Sequence, residues 1–163
     1  MDDSNDKGRE VFLMEMNLFT EKDLQKCIAA FMEVFNAEPW NDQWEPERAE
    51  RYLMDFVRTP GFMGIVATEG EEVIGFLFGA KRAWWSGDEF FIYEMCVKAT
   101  VQNQGVGKAL LKHLLEKLES DNVATVSLLT DRGIPAEAFY KKNGFEEIER
   151  LVYLSREVRM NLS

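Results

Sequence analysis

Residues 90–115 read FFIYEMCVKATVQNQGVGKALLKHLL, and this stretch decides the fold. Aromatic and β-branched side chains dominate its first part, Phe90–Lys98, which favours a strand. Leucines recur at helical spacing in its last part, Ala109–Leu115. Between the two, the glycines of Gln102–Lys108 allow a sharp turn of the main chain. The stretch therefore predicts a strand, a tight glycine turn and a helix in direct succession.

The glycine turn also predicts a binding site for an anion. Gly105 and Gly107 let the main chain approach a ligand without a Cβ atom in the way. The first N–H groups of the following helix lack partners within the helix and lie at the positive end of its dipole. Such a site suits a phosphate or a pyrophosphate. The alternative is a helix start in which the glycines serve only close packing.

Two well-known glycine motifs do not fit this turn. A dinucleotide fingerprint requires a third glycine three residues after Gly107, where the chain has Leu110. A nucleoside-triphosphate loop requires a glycine five residues before Lys108 and a Ser or Thr after it. The chain has Asn103 and Ala109 at those positions. The pattern that remains is Gln-x-x-Gly-x-Gly between a strand and a helix.

Length and charge restrict the class of protein. The chain has 163 residues, of which 46% are hydrophobic, so we expect a disordered tail at 1–9 and a single packed domain over 10–163. The net charge of −10 argues against a nucleic-acid partner, which clustered Lys and Arg would bind. No apolar run is long enough for a membrane span. The acidic N-terminus is unlike a secretion signal, so the expected location is cytoplasmic.

The cysteines and the single histidine give no pattern of metal ligands. Cys27 and Cys96 lie far apart in apolar surroundings, which is typical of reduced, packed thiols. His113 lies in the predicted helix, where we expect a structural role. Without a cysteine pair at ligand spacing, no metal site is expected.

The remaining chain alternates helices and strands, which indicates an α/β sheet. The predicted elements are, in chain order, a strand at 11–18, a helix from Thr20 to Phe35, a helix whose buried face includes Ala49, Tyr52, Leu53, Phe56 and Val57, a hairpin of 62–68 and 73–80, the strand, turn and helix described above, a strand at 123–129, a short helix that ends at Gly144, and closing strands at 145–154 and 156–160.

A second motif gives the first one a family context. Residues 136–145 read AEAFYKKNGF, which fits the pattern Ala-x-x-x-Tyr-x-x-x-Gly-Phe. With both motifs in this order, the chain resembles the GCN5-related N-acetyltransferase (GNAT) family over roughly residues 10–160. The resemblance implies a mixed, mostly antiparallel central sheet of about six or seven strands flanked by about four helices. Gly133 departs from the family, which often has Asn there, so no role is carried over to that position.

The resemblance implies acetyl-CoA as acetyl donor, in a V-shaped gap between strands that end near Val97 and start near Val123. Main-chain groups of Cys96 and Val97 would bind the pantetheine arm, and an N–H near Met95 or Cys96 would polarise the thioester carbonyl. Gln102 stands where many relatives have Arg. The further cofactor-binding residues that the resemblance implies are Gln102, Asn103, Gln104, Gly105, Val106, Gly107, Lys108, Ala136, Phe139 and Tyr140.

Two residues are candidates for proton transfer. Tyr140 matches the family position that protonates the departing thiolate; the alternative is a packed Tyr beside Phe139. Glu94 is the candidate base, because an ammonium acceptor must lose a proton before it attacks. A carboxylate among the apolar residues of a strand also needs a reason. The alternatives for Glu94 are a solvent-facing position or an ion pair. Tyr93 is expected on the opposite face and is the weaker choice.

Two segments combine aromatic rings with carboxylates and are candidates for the acceptor site. One contains Trp40 and Trp44, and the other contains Trp84 and Trp85. Such a combination suits a cationic amine through cation–π contacts and charge pairing. Either segment could equally be a packed loop or an oligomer contact. The Pro-Trp-Asn pattern at Trp40 is similar to that of small acetyltransferases likened to aminoglycoside 6′-acetyltransferases.

The sequence therefore predicts an acetyl-CoA-dependent N-acetyltransferase that acts on a primary amine of a small molecule, aminoglycoside-like or polyamine-like, and releases coenzyme A. Two alternatives stay open: acetylation of a protein lysine or N-terminus, and a non-catalytic acyl-CoA sensor. A homodimer is implied by the resemblance alone.

Overall fold

The computed structural model describes residues 14–159, in two compact units that meet in sequence between Leu129 and Thr130. The predicted tail at 1–9 lies outside the described residues. The first unit contains β1 Met14–Leu18, α1 Leu24–Phe35, α2 Pro46–Val57, β2 Phe62–Glu69, β3 Glu72–Arg82, β4 Glu89–Val97, α3 Val106–Ser120 and β5 Thr125–Leu128, and the second contains α4 Pro135–Lys142.

The five strands form one sheet in the order β1-β2-β3-β4-β5. Neighbouring strands are antiparallel except β4 and β5, which are parallel. A parallel pair needs a crossover connection, and α3 supplies it. The structure thus confirms the α/β class, the mostly antiparallel sheet and the four helices.

The start of α1 follows its sequence signal. The Thr20 N–H donates to the Asp23 carboxylate at 2.9 Å, and the Asp23 N–H donates to the Thr20 carbonyl at 2.9 Å. A short 3-10 turn, Glu21–Asp23, leads into the helix. A carboxylate in the first turn accepts hydrogen bonds from free N–H groups. Its negative charge also interacts favourably with the positive end of the helix dipole.

Strand β3 lies in the middle of the core, and its residues 73–80 are all buried. Phe76 and Phe78 belong to a cluster with the apolar faces of α1 and α2. Helix α3 lies against the other face, since a Cβ added to Gly75 would lie 3.2 Å from Val106 and 3.4 Å from Leu110. Cover on both faces explains why β3 is continuously apolar rather than alternating.

A β-bulge interrupts β4 at a position that matters for the site. Phe78 pairs with Glu94 and Gly79 pairs with Ile92, so Tyr93 is the extra residue. A bulge breaks the alternation of side chains and bends the strand. As a result Tyr93 stacks on Phe56 of α2, with ring centroids 4.9 Å apart. The expectation that Tyr93 points to the face opposite Glu94 was therefore wrong, because Glu94 also contacts α2.

The closing strands predicted at 145–154 and 156–160 do not form in the described residues. Residues 145–159 carry no strand, and Met160 lies outside the described part. Residues 130–159 contain no other strand to pair with, and an unpaired strand leaves its main-chain groups unsatisfied. The described sheet has five strands, fewer than the six or seven expected.

Candidate active site

The parallel pairing of β4 with β5 ends halfway along β4. Its last pair is Ile92 with Leu128, and beyond it this edge of β4 has no strand partner among residues 14–159. The Lys98 N–H donates to the Ile74 carbonyl of the neighbouring strand β3 at 2.9 Å. In an antiparallel ladder, residues two positions apart on one strand direct their main-chain N–H and C=O groups to the same side. The main-chain groups of Cys96 therefore face β3, and those of Met95 and Val97 face the open edge.

This register changes one expectation about the cofactor. An added, strand-like ligand at the open edge would meet the N–H and C=O groups of Met95 and Val97. The main chain of Cys96 is directed into the sheet, and its buried thiol donates to the Ala30 carbonyl at 3.6 Å. Cys96 is thus a residue of the hydrophobic core rather than a main-chain contact at this edge.

The glycine turn next to this edge has the geometry of an anion site. Gly105 precedes α3 with φ +86°, a left-handed conformation that favours glycine. No side chain caps the helix, and the Ala109 N–H is the first to bond back, to Gly105 O at 3.0 Å. The N–H groups of Val106, Gly107 and Lys108 therefore have no intrahelical acceptor. Open space surrounds the Cβ position of Gly105.

The glutamines of the turn are directed back toward the protein. The Gln102 side-chain amide donates to the Val97 carbonyl at 3.1 Å, and that of Gln104 donates to the Thr100 carbonyl at 3.3 Å. Gln102 thus fastens the end of β4 to the turn. The Val97 carbonyl keeps a second lone pair for another donor. The donors that the turn offers to an anion are main-chain N–H groups rather than the Gln102 side chain.

Glu94 lies on the α2 side of the sheet near the open edge. It is partly buried, and its Oε2 accepts a hydrogen bond from the Tyr52 hydroxyl at 2.8 Å. This contact joins α2 to β4 across 42 residues of sequence. It answers the question left by the sequence: Glu94 faces neither open solvent nor a Lys or Arg partner in the described part of the chain.

An aromatic wall, which we define as Phe31, Trp44, Tyr52 and Phe56, surrounds this contact. The Tyr52 ring centroid lies 4.9 Å from that of Trp44, 4.8 Å from Phe56 and 5.5 Å from Phe31. Offset and edge contacts of this kind add to the energy of area burial. The wall fixes the ring of Tyr52 on three sides and therefore also the direction of its hydroxyl.

Hydrogen bonds fix Trp44 in its turn. The side-chain amide of Asn36 donates to the Trp44 carbonyl at 3.0 Å and accepts from the Trp44 N–H at 2.8 Å. The indole N–H donates to the Asp42 carboxylate at 3.0 Å. A second carboxylate, exposed to solvent, is thereby held at the rim of the aromatic wall.

The surroundings shift the titration of Glu94. Burial raises the pKa of Glu94 to about 7, an effect that the hydrogen bond from Tyr52 opposes. The charge of Asp42 raises this pKa further, and the Met95 main-chain N–H lowers it. Burial and the charge of Glu94 also raise the pKa of Tyr52, so its hydroxyl stays protonated and remains a donor. A carboxylate with a pKa near neutrality suits a general base.

The raised pKa predicts a pH-dependent stability difference between the native protein and Glu94→Gln. In the folded state Glu94 holds its proton up to about pH 7, whereas in the unfolded chain its pKa has the ordinary value of 4.5. The native protein is therefore stabilised below pH 4.5 by this group and loses that contribution as the pH rises to about 7. We expect Glu94→Gln to gain stability relative to native across this interval, by on the order of 3 kcal/mol. Urea unfolding at several pH values measures it, and a constant difference would contradict the raised pKa.

The tryptophans separate into two groups. Trp44 belongs to the aromatic wall, and Trp40 packs on Phe35 with ring centroids 4.9 Å apart. Trp84 and Trp85 lie in the turn between β3 and β4, and Trp85 is 89% exposed. Asp88, at the end of that turn, precedes Glu94 by six residues, which corresponds to roughly 20 Å along a strand. The structure thus packs Trp44 against Tyr52, the hydrogen-bond partner of Glu94, and leaves Trp84 and Trp85 before the other end of β4.

The second unit holds the Tyr motif. Tyr140 lies in α4 together with Ala136 and Phe139. Its ring packs edge-on against Phe139 and Phe145, with centroids 5.3 and 5.5 Å away. The Gly and Phe of the motif thus have a local function, since the helix ends after Lys142 and Phe145 folds back onto Tyr140.

The sequence did not predict Tyr52 as a member of this site. Tyr52 was assigned only to the buried face of α2, where its spacing placed it. The available signal was a hydroxyl in an otherwise apolar stripe, because a buried Tyr hydroxyl usually has a hydrogen-bond partner. Asp42 lies in one of the two segments predicted as acceptor-site candidates, and the structure adds its contact with the Trp44 indole N–H.

Comparison with known proteins assigns the family. The sequence profile of the acetyltransferase (GNAT) family matches residues 24–145 of this chain. This range includes Glu94, the glycine turn and Tyr140. The chain belongs to the GNAT family. The open edge of β4 and the uncapped start of α3 are thus parts of a GNAT N-acetyltransferase that depends on acetyl-CoA.

Individual GNAT proteins are similar to this chain at different levels. The [ribosomal protein bS18]-alanine N-acetyltransferase of Escherichia coli K12 is 39% identical over 114 residues, which is 69% of this chain and 68% of the relative. An aminoglycoside acetyltransferase from an uncultured soil metagenomic sample is 21% identical, with a TM-score of 0.69 over 90% of this chain and 99% of that one. The enzyme AAC(6′)-Iy, bound to the bisubstrate analogue CoA-S-monomethyl-acetylneamine, is 14% identical, with a TM-score of 0.70 over 89% and 98%. The two structures share the fold with this GNAT protein.

Other kinds of site find no support in the described chain. Residues 14–159 contain no group of His, Cys, Asp and Glu arranged to hold a metal ion. Within the same range, no helix has the length and apolar character needed to cross a membrane.

Proposed function

We propose that this GNAT protein transfers the acetyl group of acetyl-CoA to a primary amine of a small cationic molecule, aminoglycoside-like or polyamine-like. The observation that carries the proposal is Glu94, a partly buried carboxylate with its pKa raised to about 7, held by Tyr52 next to the open edge of β4. The aromatic wall and the Asp42 carboxylate suit a cation through cation–π contacts and charge pairing. The net charge of −10 attracts such a molecule over longer distances.

Glu94 acts as the base in this proposal. An ammonium acceptor is protonated at neutral pH and is not a nucleophile until it gives up a proton. Glu94 takes that proton directly or through a water molecule. The amine nitrogen then attacks the thioester carbonyl carbon, a C–N bond forms, the C–S bond breaks, and coenzyme A leaves as the thiol after it gains a proton.

The binding of acetyl-CoA is assigned to two parts of the first unit. The main-chain groups of Met95 and Val97 hold the pantetheine arm along the open edge of β4. The Met95 N–H, which also contacts the Glu94 carboxylate, is the candidate donor to the thioester oxygen, where negative charge develops. The N–H groups of the glycine turn, from Asn103 to Lys108, hold the pyrophosphate. Acetyl-CoA supplies the activated acetyl group; the residues named here orient it.

Tyr140 is the proposed general acid, which protonates the leaving thiolate. Its match to the family motif supports this role. We expect Tyr140→Phe to lower kcat by about tenfold or more while the affinity for acetyl-CoA changes little, because such proton transfer contributes ~10²–10⁴-fold. Steady-state kinetics and a binding titration measure the two effects. Tyr153→Phe, which removes an exposed hydroxyl from the same unit, is the control. An unchanged kcat in Tyr140→Phe would overturn the assignment.

A second acceptor class has specific support. The E. coli relative, at 39% identity, is named for acetylation of an alanine of ribosomal protein bS18. A protein N-terminus is also a primary amine, and the same base would serve it. A protein N-terminus differs from a small polycation because the enzyme also needs a groove for the residues that follow the α-amine.

One assay distinguishes these acceptors. Thiol release from acetyl-CoA is followed with spermidine, kanamycin, a peptide that begins with alanine and the same peptide already acetylated at its N-terminus, and products are identified by mass spectrometry. Acetylation of spermidine or kanamycin is the expected result. Acetylation of the free peptide alone would replace the small amine by a protein N-terminus. Binding of acetyl-CoA without any transfer would favour the acyl-CoA sensor.

A further inference from the structure

Tyr52 has a contact that the family motifs do not account for. It lies in α2, far in sequence from both the glycine turn and the Tyr140 motif. Its hydroxyl donates to Oε2 of Glu94 at 2.8 Å, and its ring is fixed by the other members of the aromatic wall. A fixed aromatic ring whose hydroxyl donates to one carboxylate oxygen can hold that carboxylate in one orientation.

We propose that Tyr52 is a positioning residue for Glu94, holding one carboxylate oxygen so that the other is directed to the acceptor amine. This inference rests on the proposed function, in which Glu94 is the base. Without the hydroxyl, the Glu94 carboxylate would rotate about its side-chain bonds and share its charge between two orientations. With it, Oε2 is occupied as an acceptor, and the carboxylate, which also accepts from the Met95 N–H, keeps a lone pair on Oε1 to receive the proton.

The contact also sets when Glu94 is ionised. Three titratable groups act on Glu94 or respond to its charge: Tyr52 from α2, Asp42 from the segment before α2, and Cys96 from β4 itself. Of these, Tyr52 favours the ionised carboxylate through its hydrogen bond, whereas Asp42 disfavours it. The Met95 N–H also favours ionisation. Burial keeps the pKa of the Cys96 thiol well above its usual value, so Cys96 stays neutral near pH 7.

Removal of the hydroxyl therefore has a direction that a packing defect does not share. Tyr52→Phe keeps the ring and its place in the aromatic wall but removes the donor to the carboxylate. The pKa of Glu94 is expected to rise by about one unit, since hydrogen bonds to charged groups are among the stronger ones. The lower limb of the pH profile of kcat/KM is expected to move to higher pH by the same amount.

Tyr93→Phe is the matched control. Tyr93 adjoins Glu94 in sequence and stacks on the same helix, through Phe56. Its hydroxyl has no hydrogen-bond partner among residues 14–159, so its removal is expected to leave both the Glu94 pKa and the pH profile unchanged.

The deciding experiment is an NMR titration of the Glu94 side-chain carboxyl carbon, labelled with carbon-13 and assigned through Glu94→Gln. It compares the native protein, Tyr52→Phe and Tyr93→Phe, and it requires no acceptor. A higher pKa in Tyr52→Phe alone supports the proposal, and equal pKa values in all three proteins overturn it. If Tyr52→Phe does not fold, fluorotyrosine at position 52 replaces it. A more acidic phenol is a stronger donor, so the Glu94 pKa is then expected to fall.

Kinetics with spermidine or the alanine peptide, whichever is acetylated, separates this proposal from the proposed function. If Glu94→Gln leaves turnover unchanged, the base assignment fails whatever Tyr52 does. If Glu94→Gln is inactive and Tyr52→Phe keeps the native pH profile, the positioning function of Tyr52 fails and the base assignment stands.

Discussion

Replacement of Glu94 by glutamine is expected to lower kcat/KM for the amine acceptor by about 100-fold or more near neutral pH, the range that positioned acid–base groups contribute. Gln keeps the size of the side chain and still accepts the Tyr52 hydrogen bond, but it cannot take a proton. The affinity for acetyl-CoA is expected to stay the same, because the cofactor contacts are assigned to the main chain. Initial rates and calorimetric titration measure the two quantities.

The dependence of kcat/KM on pH gives a second test of the assignment of Glu94 as the base. In the native protein kcat/KM is expected to rise with pH as Glu94 ionises, with a midpoint near its pKa of about 7. In Glu94→Gln that midpoint is expected to disappear, leaving only the deprotonation of the free amine at higher pH. Glu89→Gln, at the other end of β4, is the control for loss of one carboxylate from the strand. Retention of the midpoint in Glu94→Gln would show that another group is the base.

Substitution of Gly105 by glutamate is expected to weaken acetyl-CoA binding by about 100-fold or more. The new carboxylate would lie at the start of α3, where the free N–H groups are proposed to hold the pyrophosphate. It would compete for those donors and repel the phosphates at close range. The repulsion between two like charges at such a distance amounts to several kcal/mol. Calorimetric titration with acetyl-CoA measures the loss.

The control for this variant is Gly70→Glu. Gly70 also has a positive φ, +62° against +86° for Gly105, and both Cβ positions are open. The two variants therefore carry a similar backbone strain and the same added charge, but Gly70 lies in the turn between β2 and β3. Equal loss of binding in both variants would show that strain or net charge, rather than the phosphate site, is responsible.

Local patterns predicted a large part of the fold. The strand, turn and helix of residues 90–115 follow from side-chain type, glycine position and leucine spacing, all of which act over a few residues. The cap at Thr20 is local as well. The closing strands were predicted by the same rules and do not form in the described part, because a strand also needs a partner edge and composition does not supply one.

The site depends on contacts that are distant in sequence. Tyr52 and Glu94 are 42 residues apart, so no spacing rule connects them. The bulge at Tyr93 shifts that side chain to the α2 side, and strict alternation cannot anticipate one extra residue. The same register directs the main chain of Cys96 into the sheet. Glu94 itself was identifiable, because a carboxylate in an apolar strand needs a physical reason.

The most direct test of the proposed cofactor site is calorimetric titration of acetyl-CoA into the native protein. We expect one site per chain with micromolar affinity, and competition by coenzyme A for the same site. Absence of binding would contradict it, since the glycine turn would then be a structural helix start and the open edge of β4 would have no cofactor to hold.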